Sequence, residues 1–203
     1  MSTNIDKIIY INLNKRIDRR TEIEKELNDF NLVEYERFEA IETPGFGILG
    51  CGQSHLAVLK LAKERGYKNV LIFEDDFTFL VSKEEFENEL NKFFDLNIDY
   101  NVCMLSYNII KSEETKHGFL LKSIEVITAS GYIVNSNYYD TLIELYEHAM
   151  VKLEETRQHW IYANDQAWIP LQQKDNWFCF TKRIGKQRAS FSDNTLNYFD
   201  YEC

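Results

Sequence analysis

Glu74, Asp75 and Asp76 stand in a row directly after an apolar run, Val70-Leu71-Ile72-Phe73. A short apolar run that ends in charge is how a buried strand reads where it leaves a sheet. Adjacent carboxylates repel, and a hard divalent cation with oxygen ligands offsets that repulsion while also neutralising the phosphates of a substrate. Side chains alternate along a strand, so the spacing predicts Glu74 and Asp76 on one face and Asp75 on the other. Open α/β sheets bind ligands beyond the carboxyl ends of their strands, which is where these acids fall. An acidic turn facing water is the competing reading.

The elements that must position these acids are legible on both sides. Ile8-Ile9-Tyr10-Ile11-Asn12-Leu13 reads as a first strand, followed by Lys15, Arg16, Arg19 and Arg20. Thr21-Glu22-Ile23-Glu24 has the form of a capping box, and Ile23, Leu27 and Phe30 give the helix that follows an apolar face. Phe38-Glu39-Ala40-Ile41 reads as a short strand halted by Thr43-Pro44-Gly45. Gly45-Phe46-Gly47-Ile48-Leu49-Gly50 spells GxGxxG, but a proline and not a strand precedes it, so a flexible loop is expected there, not a dinucleotide site. The next helix is expected through Ser54 to Arg65, with Gly66 as its stop.

Past the acids, Ser82-Lys83-Glu84-Glu85 is a second capping box, and Phe86, Leu90, Phe93 and Phe94 form its helix's apolar stripe. Val102-Cys103-Met104-Leu105, Ile124 to Ile127, Gly131 to Val134 and Trp177 to Phe180 read as further strands. Residues 108–122 are polar and unpatterned, which predicts a long mobile loop. A helix is expected from about Asn137 to Met150, and another starting at Asn164-Asp165-Gln166-Ala167. Strands and helices interleave, so the fold class is α/β: three layers with a mostly parallel central sheet, in a single domain spanning 1–203.

Composition narrows the function classes. With 33 acidic against 23 basic residues, the net charge is −10, which argues against a nucleic-acid-binding face. Cys51, Cys103, Cys179 and Cys203 are widely and irregularly spaced; no CxxC or Cys/His cluster suggests zinc and no dense pattern a disulfide scaffold. The amino terminus lacks a basic, apolar leader and no run approaches a membrane span, so a reducing, cytoplasmic setting is the expectation.

Four segments together resemble glycosyltransferase family 25, which includes lipooligosaccharide and collagen galactosyltransferases. Tyr10-Ile11-Asn12-Leu13 with Arg16, Asp18, Arg19 and Arg20 is similar to the family's opening INL…RxDRR. Gly47-Ile48-Leu49-Gly50-Cys51-Gly52-Gln53-Ser54-His55 is similar to its GxxGCxxSH segment, and Glu74-Asp75-Asp76 to its EDD motif, the counterpart of DxD in other GT-A enzymes. Ala129-Ser130-Gly131-Tyr132 and Asp165-Gln166-Ala167 resemble its later segments. The loop around Lys111 to His117 and the tail after Asp193 match nothing in the family.

The resemblance implies a GT-A-like fold and transfer of a hexose, galactose or glucose, from a UDP-sugar donor to a hydroxyl of a glycan or a collagen-like hydroxylysine, with inversion. It implies Mn²⁺ or Mg²⁺ as the cofactor, held by Asp76 with Glu74 beside it, and Asp75 buttressing a loop or touching the sugar. Asn12, Arg16 and Arg20 would grip the nucleotide, or else the arginines are only a solvated helix start, which the helix dipole disfavours. Ser54 and His55 would face the nucleotide-sugar, or be satisfied structural residues. Asp165 is the first choice for general base, an N-cap being its other reading, and Asp193 the second. Lys182, Arg183, Lys186 and Arg188 would clamp the diphosphate, or form a solvated basic turn. Two other classes fit less well: a Mg²⁺-dependent phosphohydrolase, for which no P-loop is present, and a non-catalytic sugar-nucleotide-binding protein.

Overall fold

A computed structural model describes residues 4–192 and 197–199, of which 190–192 and 197–199 by backbone alone. The chain runs β1 (Lys7–Asn12), α1 (Ile17–Asp29), β2 (Tyr35–Glu39), α2 (Gly47–Glu64), β3 (Asn69–Glu74), β4 (Phe77–Phe79), α3 (Lys83–Asp95) and β5 (Val102–Met104). Then follow β6 (Asn108–Glu114), β7 (Leu120–Ile127), β8 (Gly131–Asn135), a 3-10 turn (Ser136–Tyr138), α4 (Tyr139–Thr156), and the short α5 (His159–Tyr162), α6 (Asn164–Ala167) and α7 (Ile169–Gln172). β9 (Trp177–Phe180), β10 (Gly185–Gln187), β11 (Ser190–Ser192) and β12 (Asn197–Phe199) complete it.

An eight-stranded sheet, ordered β2-β1-β3-β8-β5-β9-β7-β6, is the middle layer. β2, β1, β3, β5, β9 and β6 run one way and only β8 and β7 the other, so the sheet is mostly parallel as expected. Period-two alternation sorts its side chains. Ile9, Ile11, Val70, Ile72, Met104 and Tyr132 pack with Val58, Leu59 and Ala62 of α2 and Leu142 and Tyr146 of α4. Ile8, Tyr10, Leu71, Phe73, Cys103 and Ile133 pack with Ile23 and Leu27 of α1 and Phe86, Leu90 and Phe93 of α3. Helices thus cover both faces, and the three-layer α/β class is what the chain adopts.

Several local expectations are corrected. Helix α1 begins at Ile17, four residues before the supposed cap, and the Thr21 hydroxyl instead donates to the Ile17 carbonyl inside the helix. The cap at Ser82 is real: its Oγ accepts from the Glu85 N–H at 3.2 Å. Residues 108–122 are not a loop. They form the β6–β7 hairpin at the sheet edge, where β6 is exposed along most of its length and so carries no apolar period to read.

The GxGxxG stretch is likewise not a loop, since α2 starts at Gly47. Its last glycine has a packing reason. A Cβ on Gly50 would lie 2.4 Å from the Ile41 carbonyl oxygen and 2.3 Å from Thr43 Oγ1, so the segment after β2 can rest on the helix only if this residue has no side chain. Ser54, one turn on, secures the contact: its Oγ accepts from the Ile41 N–H at 2.8 Å and donates to the Gly50 carbonyl at 2.6 Å. Gly50→Ala is expected to cost about 1–3 kcal/mol by forcing that segment off the helix, which chemical denaturation would register.

Among the described residues no helix is long and apolar enough to cross a membrane.

Candidate active site

Strand β3 delivers Glu74 as its last residue, and the chain then turns through Asp75 and Asp76 into β4. Because the strand ends there, the alternation predicted across all three acids stops as well. Glu74 faces α2, whereas Asp75 and Asp76 both face α1, which corrects the expectation that Glu74 and Asp76 share a face. Asp75 Oδ1 and Asp76 Oδ2 each accept from one nitrogen of Arg19 at 3.0 Å. Asn12 donates to Asp75 Oδ2 at 2.7 Å, and Gln187 to Asp76 Oδ2 at 3.1 Å. The β4–β10 ribbon places that glutamine, since Gln187 pairs with Phe77. Among the described residues Asp76 Oδ1, which is buried, has no hydrogen-bond partner.

On the other side, Glu74 Oε1 meets His55 Nε2 at 2.9 Å and accepts from the Cys51 thiol at 3.4 Å. His55 Nδ1 lies 2.8 Å from the Tyr132 hydroxyl. A carboxylate can only accept, so Nε2 carries the proton toward Glu74.

These surroundings set the charge states. Burial pushes the Asp76 carboxyl up to about 7, helped by the charge of Glu74 and opposed by Arg19. Burial raises Asp75 too, against the pull of Arg19 and Asn12. Burial would likewise raise Glu74, but the hydrogen bonds from His55 and Cys51 outweigh it and hold Glu74 below its ordinary value.

All three acids line one cleft of about 820 Å³ at the carboxyl ends of β1, β2 and β3. Ser54 and Asp165 line it with them, as do Cys51, Arg19 and Gln187. Asp165 does not cap its helix. It reaches across to the end of β7, where its Oδ2 accepts from the Thr128 N–H at 3.1 Å. Burial raises the Asp165 carboxyl, the Thr128 N–H opposes, and the charge of Glu74 adds to the rise. Thr128 holds that N–H in place at φ 85°, the left-handed region that a β-branched residue avoids. Such a conformation costs about 1–3 kcal/mol, and glycine's extra chain entropy offsets part of that. Thr128→Gly is therefore expected to raise stability by roughly 1 kcal/mol, read as a higher denaturant midpoint.

Other expected site residues fall elsewhere. Asn12 spends its amide on Asp75, the Arg16 carbonyl and Arg37, bracing the acids from behind instead of facing the cleft. Arg16 pairs with Asp18 at 2.7 Å, and Arg20 with Glu24 at 2.9 Å, Glu24 also accepting from the Tyr10 hydroxyl of β1. His55 is fully buried between Tyr132 and Glu74, and the Ser54 hydroxyl is taken by Gly50 and Ile41. Lys182 pairs with Glu85, Arg183 donates to the Tyr107 carbonyl, and Arg188 pairs with Glu22 and Glu26. That basic group serves α1 and α3 and does not line the cleft. Asp193 lies outside the described residues.

Arg19 is the residue that reading the sequence passed over. The signal was present: Arg19, Ile23 and Leu27 are spaced by four, and the latter two are the buried residues of α1. Arg16, Arg20 and Glu24 form a different row. Gln187 carried no such signal, because only the tertiary ribbon brings it to Asp76.

Known proteins bear on this cleft. No family model matches the chain. Over 107 residues, 42% of this chain, it is 36% identical to "Putative glycosyltransferase R655" of Acanthamoeba polyphaga mimivirus; the match spans 32% of that protein, so the chain spans about a third of its relative. Among solved structures, it is similar to GlyE, a glycosyltransferase of Streptococcus pneumoniae TIGR4, with a TM-score of 0.49 and 11% identity over 88% of this chain and 45% of that one. A glycosyltransferase involved in the glycosylation of the major capsid of PBCV-1 gives 0.45 and 12%, over 87% and 94%. Likeness of that degree assigns no residue a role. The sequence match is thus to a protein named as a glycosyltransferase, over part of each chain.

Proposed function

We propose that the chain is a glycosyltransferase that moves a hexose from a UDP-sugar to an acceptor hydroxyl, inverting the anomeric carbon. The observation that carries this reading is the cleft itself. Glu74, Asp75, Asp76 and Asp165 line, together with Arg19 paired to Asp75 and Asp76, a hollow large enough for a nucleotide-sugar. The resemblance to family 25 in GxxGCxxSH and EDD, and the partial match to a protein named as a glycosyltransferase, support it further.

The difficult step is departure of UDP, as negative charge gathers on its diphosphate. Bound there, Mn²⁺ or Mg²⁺ supplies Lewis-acid neutralisation of that charge. The residues present fit such an ion: Asp76 Oδ1 is a buried oxygen without a partner among the described residues, and carboxylate oxygen suits a hard cation. Asp76 is the residue that would hold it. Both oxygens of Asp75 are already engaged, and Glu74 is turned to α2. Asp75 therefore positions Arg19, which adds a fixed positive charge beside the leaving group.

Asp165 is the general base. Its raised carboxyl affinity lets it take the acceptor proton, and the Thr128 N–H fixes its orientation. Trp160, 62% exposed, stands with His159 on the cleft wall, where an acceptor enters. Asp165→Asn keeps the acceptor for Thr128 and loses the base, so transfer is expected to fall about 10²–10⁴-fold with donor binding unchanged.

The test of the function is UDP release from a panel of UDP-sugars with Mn²⁺, with and without a chelator. Turnover that needs both the ion and Asp76 supports the transferase. Binding without turnover in the presence of glycan acceptors, or phosphate release from simple phosphoesters, overturns it.

A further inference from the structure

Cys51, His55 and Glu74 make up a second group of potential ligands, separate in geometry from the Arg19–Asp75–Asp76 side of the turn. Cys51 and His55 are four apart on α2, hence on one helix face, and Glu74 ends the strand that this helix covers. One ligand atom from each, the thiol sulfur, His55 Nε2 and a Glu74 oxygen, lies within 4.8 Å of the others. Glu74 Oε1 is 3.4 Å from the sulfur and 2.9 Å from Nε2. Bonds of about 2.3 Å to sulfur and 2.0–2.1 Å to nitrogen or oxygen, set at tetrahedral angles, need ligand atoms roughly 3.3–3.6 Å apart. The Glu74 oxygen already stands within about 0.4 Å of that spacing from both other ligand atoms, and the sulfur and imidazole lie within 4.8 Å of each other.

We propose that these three side chains form a site for Zn²⁺ on the cleft floor. Thiolate, imidazole and carboxylate together suit Zn²⁺, whereas Mn²⁺ and Mg²⁺ take all-oxygen sets such as the one Asp76 offers. The outer shell is in place as well. With Nε2 on the metal, the imidazole proton sits on Nδ1 and faces the Tyr132 hydroxyl, 2.8 Å away, which fixes the ring. Tyr132 is itself fully buried. Cys51 and Glu74 line the cleft while His55 does not, so the ion enters from the cleft and its fourth position points back into it. Three protein ligands and one open position make a ligand-binding site, not a closed structural one. The chemistry balances: the Cys51 S–H proton leaves to solvent as the sulfur–zinc bond forms, and the imidazole changes tautomer without changing charge. No electrons are transferred.

The experiment titrates the full chain with ZnCl₂ in the absence of any nucleotide-sugar, and repeats it with CoCl₂ as a spectroscopic probe. One equivalent is expected to bind, with a thiolate-to-cobalt absorption band. Cys51→Ser, nearly isosteric, is expected to abolish the band. Tyr132→Phe is expected to weaken Zn²⁺ binding about 10–100-fold while leaving the three ligands intact. Asp76→Asn is expected to leave binding unchanged, which separates this site from the one proposed for transfer. If no Zn²⁺ binds, or if one equivalent still binds with the thiolate band in Cys51→Ser, the proposal is overturned. Neither result depends on whether the chain transfers sugar.

Discussion

Asp76→Asn is expected to reduce divalent-dependent UDP release by about 10²–10³-fold, the scale for removing one group aimed at developing charge. The variant keeps the shape of the side chain and an oxygen for Gln187, so the fold should persist. Its loss therefore reports on charge at one oxygen, Asp76 Oδ1, which has no partner among the described residues. Steady-state UDP release at saturating donor, with Mn²⁺ varied, checks it. Activity within about tenfold of the parent would remove Asp76 from the reaction.

Asp76 also has a signature in stability. Its carboxyl is raised to about 7 in the folded chain, against about 3.9 for an unfolded aspartate. Between those values the native state binds more protons, so this group's contribution is full at low pH and is lost as pH rises toward and through about 7. Glu74 acts with the opposite sign: its folded affinity is lowered, so its contribution is lost only as pH falls through the acid range. Without divalent cations, the denaturant midpoint should therefore fall from pH 5 to pH 8, and Asp76→Asn should flatten that slope. An unchanged slope in the variant would show that Asp76 titrates normally.

The second large effect is on stability alone. Arg19→Met is expected to cost about 3 kcal/mol, because it leaves Asp75 and Asp76 buried with their shared cation gone. The methionine keeps much of the apolar stem, so the loss isolates the guanidinium. At pH near 5 the two acids take up protons more readily and the deficit should shrink, a pattern that lost packing would not produce. Arg20→Met is the control. Arg20 is about half exposed, and its partner Glu24 keeps the Tyr10 hydroxyl as a second partner, so little change is expected. Equal losses at positions 19 and 20 would mean that the bridge to the acids contributes nothing of its own.

What the sequence disclosed, and what it withheld, follows from how far each residue's surroundings were local. The junction of apolar strand and acids was legible because a buried strand is a short apolar run and a change to charge marks its end. The three layers followed from interleaved periods of 2 and 3.6. The orientation of the acids was not legible, since it turned on β3 ending at Glu74 and not at Asp76. His55 and Ser54, expected to face a nucleotide-sugar or else to be structural, are both held by hydrogen bonds that only tertiary contact creates. The β6–β7 hairpin left no pattern, because a strand exposed on both faces has no need of alternation. The glycine run was expected to be a flexible loop and proved to open α2, with Gly50 the seat for the segment after β2.

Arg19 has one consequence beyond its own energetics. A pair of acids compensated by a resident guanidinium does not wait on an ion in order to fold, unlike domains that are unfolded until metal arrives. Chelators should thus silence any ion-dependent chemistry of this chain while leaving its melting temperature nearly untouched, and adding back the ion should restore that chemistry without a refolding phase.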